Sequence, residues 1–128
     1  GSDMCIRDRH MAGFLGRNVK IFDTEDKFGS ETDLLITDME KASALADCLV
    51  DSDVALMRGH GATIYGRTLP EAVYRAIYAE LNAQILLNSA AMGTFKALSV
   101  GECKATVERI SPQIGRAWDL WVREVERD

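Results

Sequence analysis

Apolar residues recur at three- and four-residue spacing over residues 69–92, with Val73, Ile77, Leu81 and Ile85 on one stripe, which predicts a long amphipathic helix. Pro70 suits its first turn and Gly93 its C-terminal cap. A shorter stripe, Ala42, Leu45, Ala46 and Leu49, predicts a helix over residues 39–49. A third helix is expected from Val100 until Pro112 breaks it, and a last one carries Ile114, Trp118, Trp121, Val122 and Val125. Three of these helices follow an S/T-x-x-E sequence (Thr37 to Glu40, Thr68 to Glu71, Ser99 to Glu102), the pattern of a capping box in which hydroxyl and carboxylate each satisfy an orphan backbone N–H.

Period-two patterning marks the strands. Val19-Lys20-Ile21-Phe22 alternates, Leu34-Leu35-Ile36 has the length of a second short strand, and the acidic stretch between them, residues 23–32, reads as a loop. Val54-Ala55-Leu56-Met57 and Ala62-Thr63-Ile64-Tyr65 form a predicted hairpin joined by Arg58-Gly59-His60-Gly61. The order of elements gives an α/β (α+β) architecture, an antiparallel or mixed sheet covered by helices. It occupies residues 10–128; Gly1-Ser2 reads as a remnant of tag cleavage, and residues 1–9 as a foreign or frayed arm without periodicity.

Composition narrows the function. The chain has 128 residues, 47% hydrophobic and 27% charged, the balance of a soluble domain, with no apolar run long enough to cross a bilayer and no signal-peptide-like start. A net charge of −5 without a basic patch argues against nucleic-acid binding. Cys5, Cys48 and Cys103 are too scattered for a disulfide framework or zinc knuckle, and a cytoplasmic location is expected.

Chemistry concentrates in Gly59-His60-Gly61. Flanking glycines open backbone conformations closed to other residues and leave the imidazole unobstructed at a strand end. Neutral imidazole suits zinc and similar ions. A histidine in a turn is nevertheless more often a polar turn residue, and a catalytic zinc needs three protein ligands.

The run Met57-Arg58-Gly59-His60-Gly61-Ala62-Thr63-Ile64-Tyr65-Gly66-Arg67-Thr68-Leu69-Pro70-Glu71-Ala72 resembles the signature region of the class II aldolase/adducin family, in which a strand ends in His-Gly and a second strand, a Gly-containing turn and a helix with Glu-Ala near its start follow. Tyr74 to Gln84 and His10 to Gly16 extend the likeness, which covers roughly residues 9–121. The resemblance implies a three-layer α/β/α fold, a homo-oligomer, and a divalent metal, often zinc, with His60 as its third ligand. It implies aldol cleavage of sugar phosphates, or the related decarboxylation and dehydration reactions. The family's other two ligands form a His-x-His pair that this chain lacks, as it lacks the acid/base glutamate upstream of it. His10 does not replace them, since its counterpart in the family is not a ligand. The expectation is therefore a partial domain, inactive alone and holding metal weakly or not at all, with a non-catalytic adducin-like association module as the alternative. A third option is a composite site, with another chain supplying the pair and the glutamate.

Beside His60, the candidate pocket residues are His10, Arg58, Tyr65 and Glu80. Arg58 suits a phosphate or carboxylate but reads more simply as a solvated strand-end charge. Tyr65 is as suited to the core as to a pocket. Glu80 is a candidate for supporting a ligand or for facing solvent. Trp118 and Trp121 read as core or subunit contacts rather than a stacking platform. Asp23, Glu25, Asp26, Glu31 and Asp33 do not have the spacing of a calcium loop and read as a solvated cluster.

Overall fold

The computed structural model describes residues 10–15, 19–94 and 96–127, so the predicted arm and Cys5 lie outside the described residues. A 3-10 turn, His10–Leu15, leads to strand β1, Lys20–Phe22, and a short helix α1, Thr24–Phe28. Helix α2, Met39–Cys48, precedes the hairpin of β2, Val54–Met57, and β3, Gly61–Ile64. Helices α3, Leu69–Met92, α4, Val100–Ile110, and α5, Ile114–Val125, follow, with a second 3-10 turn, Ser111–Gln113, between the last two. The sheet has the order β1-β2-β3. β1 pairs parallel with β2, Ile21 opposite Leu56, and β2 antiparallel with β3, Leu56 opposite Ala62, so of the two predicted arrangements the sheet is mixed.

Side-chain alternation assigns the helices to two sides of this sheet. Phe22 and Met57, neighbours in register, pack with Ala44, Leu45 and Cys48 of α2 and Phe28 of α1. Val54 packs with Leu56 and Ile64, and with Leu15 and Ala79 of α3, on the opposite side. The result is a helix–sheet–helix sandwich with a small core on each face, the mixed α/β fold expected. An aromatic group extends the second side. Tyr74 is 6.4 Å from Phe14, 4.5 Å from Tyr78 and 6.5 Å from Trp121, ring centre to ring centre, so Trp121 ties α5 to α3. Burial pushes the Tyr74 hydroxyl up to about 12.

The helix starts follow local chemistry to different degrees. At α4 the full box forms: the Ser99 hydroxyl accepts from Glu102 N and the Glu102 carboxylate from Ser99 N. At α3 Thr68 caps Glu71 N, but the Glu71 carboxylate accepts from Arg67 N instead, one residue early. At α2 the cap is Asp38, not Thr37, because the Asp38 carboxylate reaches Lys41 N and also meets the Lys41 ammonium at 2.9 Å. The predicted inner face of α2 is correspondingly turned: Ala44 is buried and Ala46 exposed.

Two local expectations are corrected. Residues 23–32 are not simply loop, since Asp23 caps α1 by accepting from Glu25 N at 2.9 Å and Phe28 reaches the core. Five residues are too few for a periodic signal, so packing and the cap decide. Leu34-Leu35-Ile36 is not a strand: Leu34 has φ 67, and the Leu34 and Leu35 amides donate to Thr32 Oγ1 and Asp33 Oδ1 rather than to a ladder.

Gly13 is where the first 3-10 turn meets α4. A Cβ there would stand 2.0 Å from Thr106 Oγ1 and 3.0 Å from the Cys103 carbonyl. Since the carbonyl belongs to helix backbone, the turn and α4 would have to separate. Gly13→Ala is therefore expected to lower stability by about 1–3 kcal/mol, the range for overpacking. Urea denaturation followed by circular dichroism measures it, and a change below about 0.5 kcal/mol would show that this approach is not tight.

Candidate functional site

His60 lies in the turn of the β2–β3 hairpin and is exposed. The local sequence accounts for the shape of that turn. Gly59 has φ 70 and Gly61 φ 149, backbone angles that L side chains rarely adopt. His60 N donates to the Met57 carbonyl at 3.1 Å and closes the turn. Leu34 sits over Gly59, its Cδ1 2.9 Å from where a Cβ would project. The imidazole makes no hydrogen bond to a described residue, which leaves both ring nitrogens available for a ligand.

Arg58, the residue before the turn, is not simply a solvated charge. Its Nε–H donates to the Asp23 carboxylate and its Nη2–H to Glu25 Oε2 at 3.0 Å. The guanidinium beside Asp23, helped by the bond from Glu25 N, holds that carboxyl below its ordinary range. The expected solvated acidic cluster is thus divided: Asp23 and Glu25 neutralise Arg58, and Asp23 also starts α1. The sequence signal for this was available in Asp23 itself, an Asx residue one position past a strand and suited to cap a helix.

The other candidates are not gathered at His60. Tyr65 follows β3 at the far end of the hairpin, where its N–H donates to the Asp53 carbonyl at 2.8 Å and its ring is half exposed rather than in the core. Glu80 is on an exposed position of α3 and forms no ion pair with a described residue. The backbone of His10 begins the first 3-10 turn, but its side chain lies outside what is described.

A second polar centre, unmarked by any motif, occupies the Tyr65 end. The Arg75 side chain, 11% exposed, forms ion pairs with Asp53 Oδ1 at 3.0 Å and Glu71 Oε1 at 2.8 Å and donates to the Tyr65 carbonyl at 2.7 Å. Its guanidinium also lies 5.8 Å from the centre of the Phe14 ring. Both terminal nitrogens of this cation are engaged, Nη1 by Asp53 and the Tyr65 carbonyl and Nη2 by Glu71, which gives the centre a structural role. A groove of about 560 Å³ beside it is lined by Asp51, Asp53, Tyr65, Arg67 and Arg75 among others.

Among the described residues, no group of three or more His, Cys, Asp or Glu side chains is close enough to share a metal ion. The donors present do not by themselves fit the metal that the His-Gly turn suggests. No helix of the described residues is long and apolar enough to cross a membrane.

The fold and the His-Gly hairpin at its sheet end define a class. The profile of the class II aldolase and adducin N-terminal domain matches residues 3–87, and the chain belongs to that family. The family is typically metal-dependent. Among characterised proteins, the chain is 39% identical over 138 aligned positions to the decarboxylase tropJ of Talaromyces stipitatus, a match covering 91% of this chain and 52% of that protein. The chain spans about half the length of the curated relative it matches.

Breaking the Arg75 centre should be costly, because Asp53 and Glu71 would lose their cation. Arg75→Met is expected to destabilise by about 1–3 kcal/mol, less than the 3–5 kcal/mol of a fully buried pair because Asp53 remains partly hydrated. The urea midpoint reports this, and an unchanged midpoint would show that the network contributes nothing net.

Proposed function

We propose that this chain supplies one part of the reaction centre of a carbon–carbon lyase, with His60 as its contributed imidazole, and that it has no activity alone. The observation that carries this reading is the placement of His60: an exposed imidazole on a short glycine-flanked turn at the end of a paired hairpin, in a family of metal-dependent lyases. The remaining donors, in this reading a His-x-His pair and an acid/base glutamate, belong to chain not present in these 128 residues. Divalent metal, with zinc the first candidate, is the cofactor of the completed site.

Decarboxylation is the favoured reaction. The relative at 39% identity bears the name decarboxylase. Arg58, the cation nearest His60 in sequence, is already matched by Asp23 and Glu25, which weakens the reading of Arg58 as a phosphate-binding residue and with it the sugar-phosphate alternative.

Zinc titration by calorimetry tests the incompleteness of the site. A single imidazole should give binding no tighter than the micromolar range. Sub-micromolar affinity that disappears in His60→Ala would overturn the claim that the chain lacks its partners. In a protein carrying the missing donors, His60→Ala should reduce turnover at least roughly a hundredfold; retention of full activity would remove His60 from the centre.

A second reading, adducin-like association without catalysis, is favoured by the distribution of apolar surface. Leu69, Leu81, Leu87 and Met92 of α3, with Leu120 and Val125 of α5, are exposed. A homo-oligomer would cover them. Light scattering after size exclusion should then give a mass at least twice 14.1 kDa; a monomer at high concentration would count against it.

A further inference from the structure

We propose that Arg58 is a positioning residue: held by Asp23 and Glu25, it fixes the turn from which His60 is presented, and this rests on the reading of His60 as a residue of the reaction centre.

Two glycines make the turn intrinsically loose. Glycine loses more conformational freedom on ordering than any other residue, and Gly59 and Gly61 flank His60 on both sides. Beyond the strand pairing itself, the turn is closed by the bond from His60 N to Met57 O. What restrains it further comes from β1 and α1. Arg58 N donates to the Phe22 carbonyl at 3.1 Å, extending the β1–β2 pairing one residue past the strands. The Arg58 guanidinium then forks onto Asp23 and Glu25, the residues that open α1. Asp23 is itself held, since Oδ1 accepts from Glu25 N while Oδ2 takes the Arg58 Nε–H. A planar fork gripping two carboxylates fixes both the direction and the rotation of a side chain, as a single ammonium does not. The cation that looks suited to bind substrate is, on this geometry, already committed to aiming its neighbour.

The pair lies at the surface, where ion pairs add little to global stability, so the consequence is local. Backbone ¹⁵N relaxation of Arg58→Gln, Asp23→Asn and the double variant separates the possibilities. Asp23→Asn removes the charge but keeps an equally good helix cap, so it isolates the clamp from α1. Order parameters at Gly59, His60 and Gly61 are expected to fall from about 0.85 to below about 0.6 in either single variant. The double variant should fall no further than the singles, because the two residues act through one contact. The urea midpoint should be unchanged. The proposal is overturned if the turn keeps its order in both single variants, or if order is lost along the whole of β2 and β3, which would make Arg58 a general structural residue. Neither measurement uses metal or substrate, so a failed clamp leaves the role of His60 standing, and a failed role for His60 leaves the clamp standing.

Discussion

Arg75 sits where four segments of chain meet. Its guanidinium reaches the residue just before β2, the carbonyl just after β3, a carboxylate one turn back on its own helix, and the face of Phe14 in the first 3-10 turn. Desolvating a cation is expensive unless it is paired, and here two carboxylates and a carbonyl meet its terminal nitrogens. The consequence is geometric. The base of the hairpin is tied to the first turns of α3, so the long helix lies against the sheet at a set height, and Ala79 meets Val54 and Leu15 on that face. With the base held, the opposite end of the hairpin carries the His60 turn at a determined place.

The two ends of the hairpin divide the work. The Tyr65 end is nearly neutralised and joined to the helical layer by bonds inside the structure. The His60 end is open, glycine-rich and held from β1 and α1 by the Arg58 fork. A functional imidazole benefits from this arrangement, because exposure leaves it free to bind while the supports lie on regular elements. Among the described residues, no further His, Cys, Asp or Glu side chains gather with His60 into a group that could share a metal ion.

The small core bears on association as well. Two small clusters of buried apolar residues lie on the two faces of three short strands, while Leu81, Leu87 and Met92 of α3 and Leu120 and Val125 of α5 stand in solvent. A helix of 24 residues is longer than the sheet it covers. Its far turns therefore have no partner of sheet to lie on, and Leu87 and Met92 remain exposed.

Much of the architecture could be read from residues close together in the chain. The bounds of α3, the break at Pro112, the hairpin and the strand ending at Phe22 follow from periodicity, caps and glycines, which act over a few residues. So does the family, through the run from Met57 to Ala72. Tertiary structure decided what depends on distant partners. It placed α1 where an acidic loop was expected, because Phe28 finds the core and Asp23 finds both Glu25 N and Arg58. It denied a strand to Leu34-Leu35-Ile36, where the Leu34 and Leu35 amides are taken by neighbouring side chains and Leu34 is drawn over Gly59. It sent Tyr65 to the end of the hairpin away from His60 and assembled the Arg75 centre from residues far apart in sequence, from Phe14 to the charged partners Asp53 and Glu71. Ion pairs and packing of this kind carry no period and no motif; they exist only once the chain has brought the charges together.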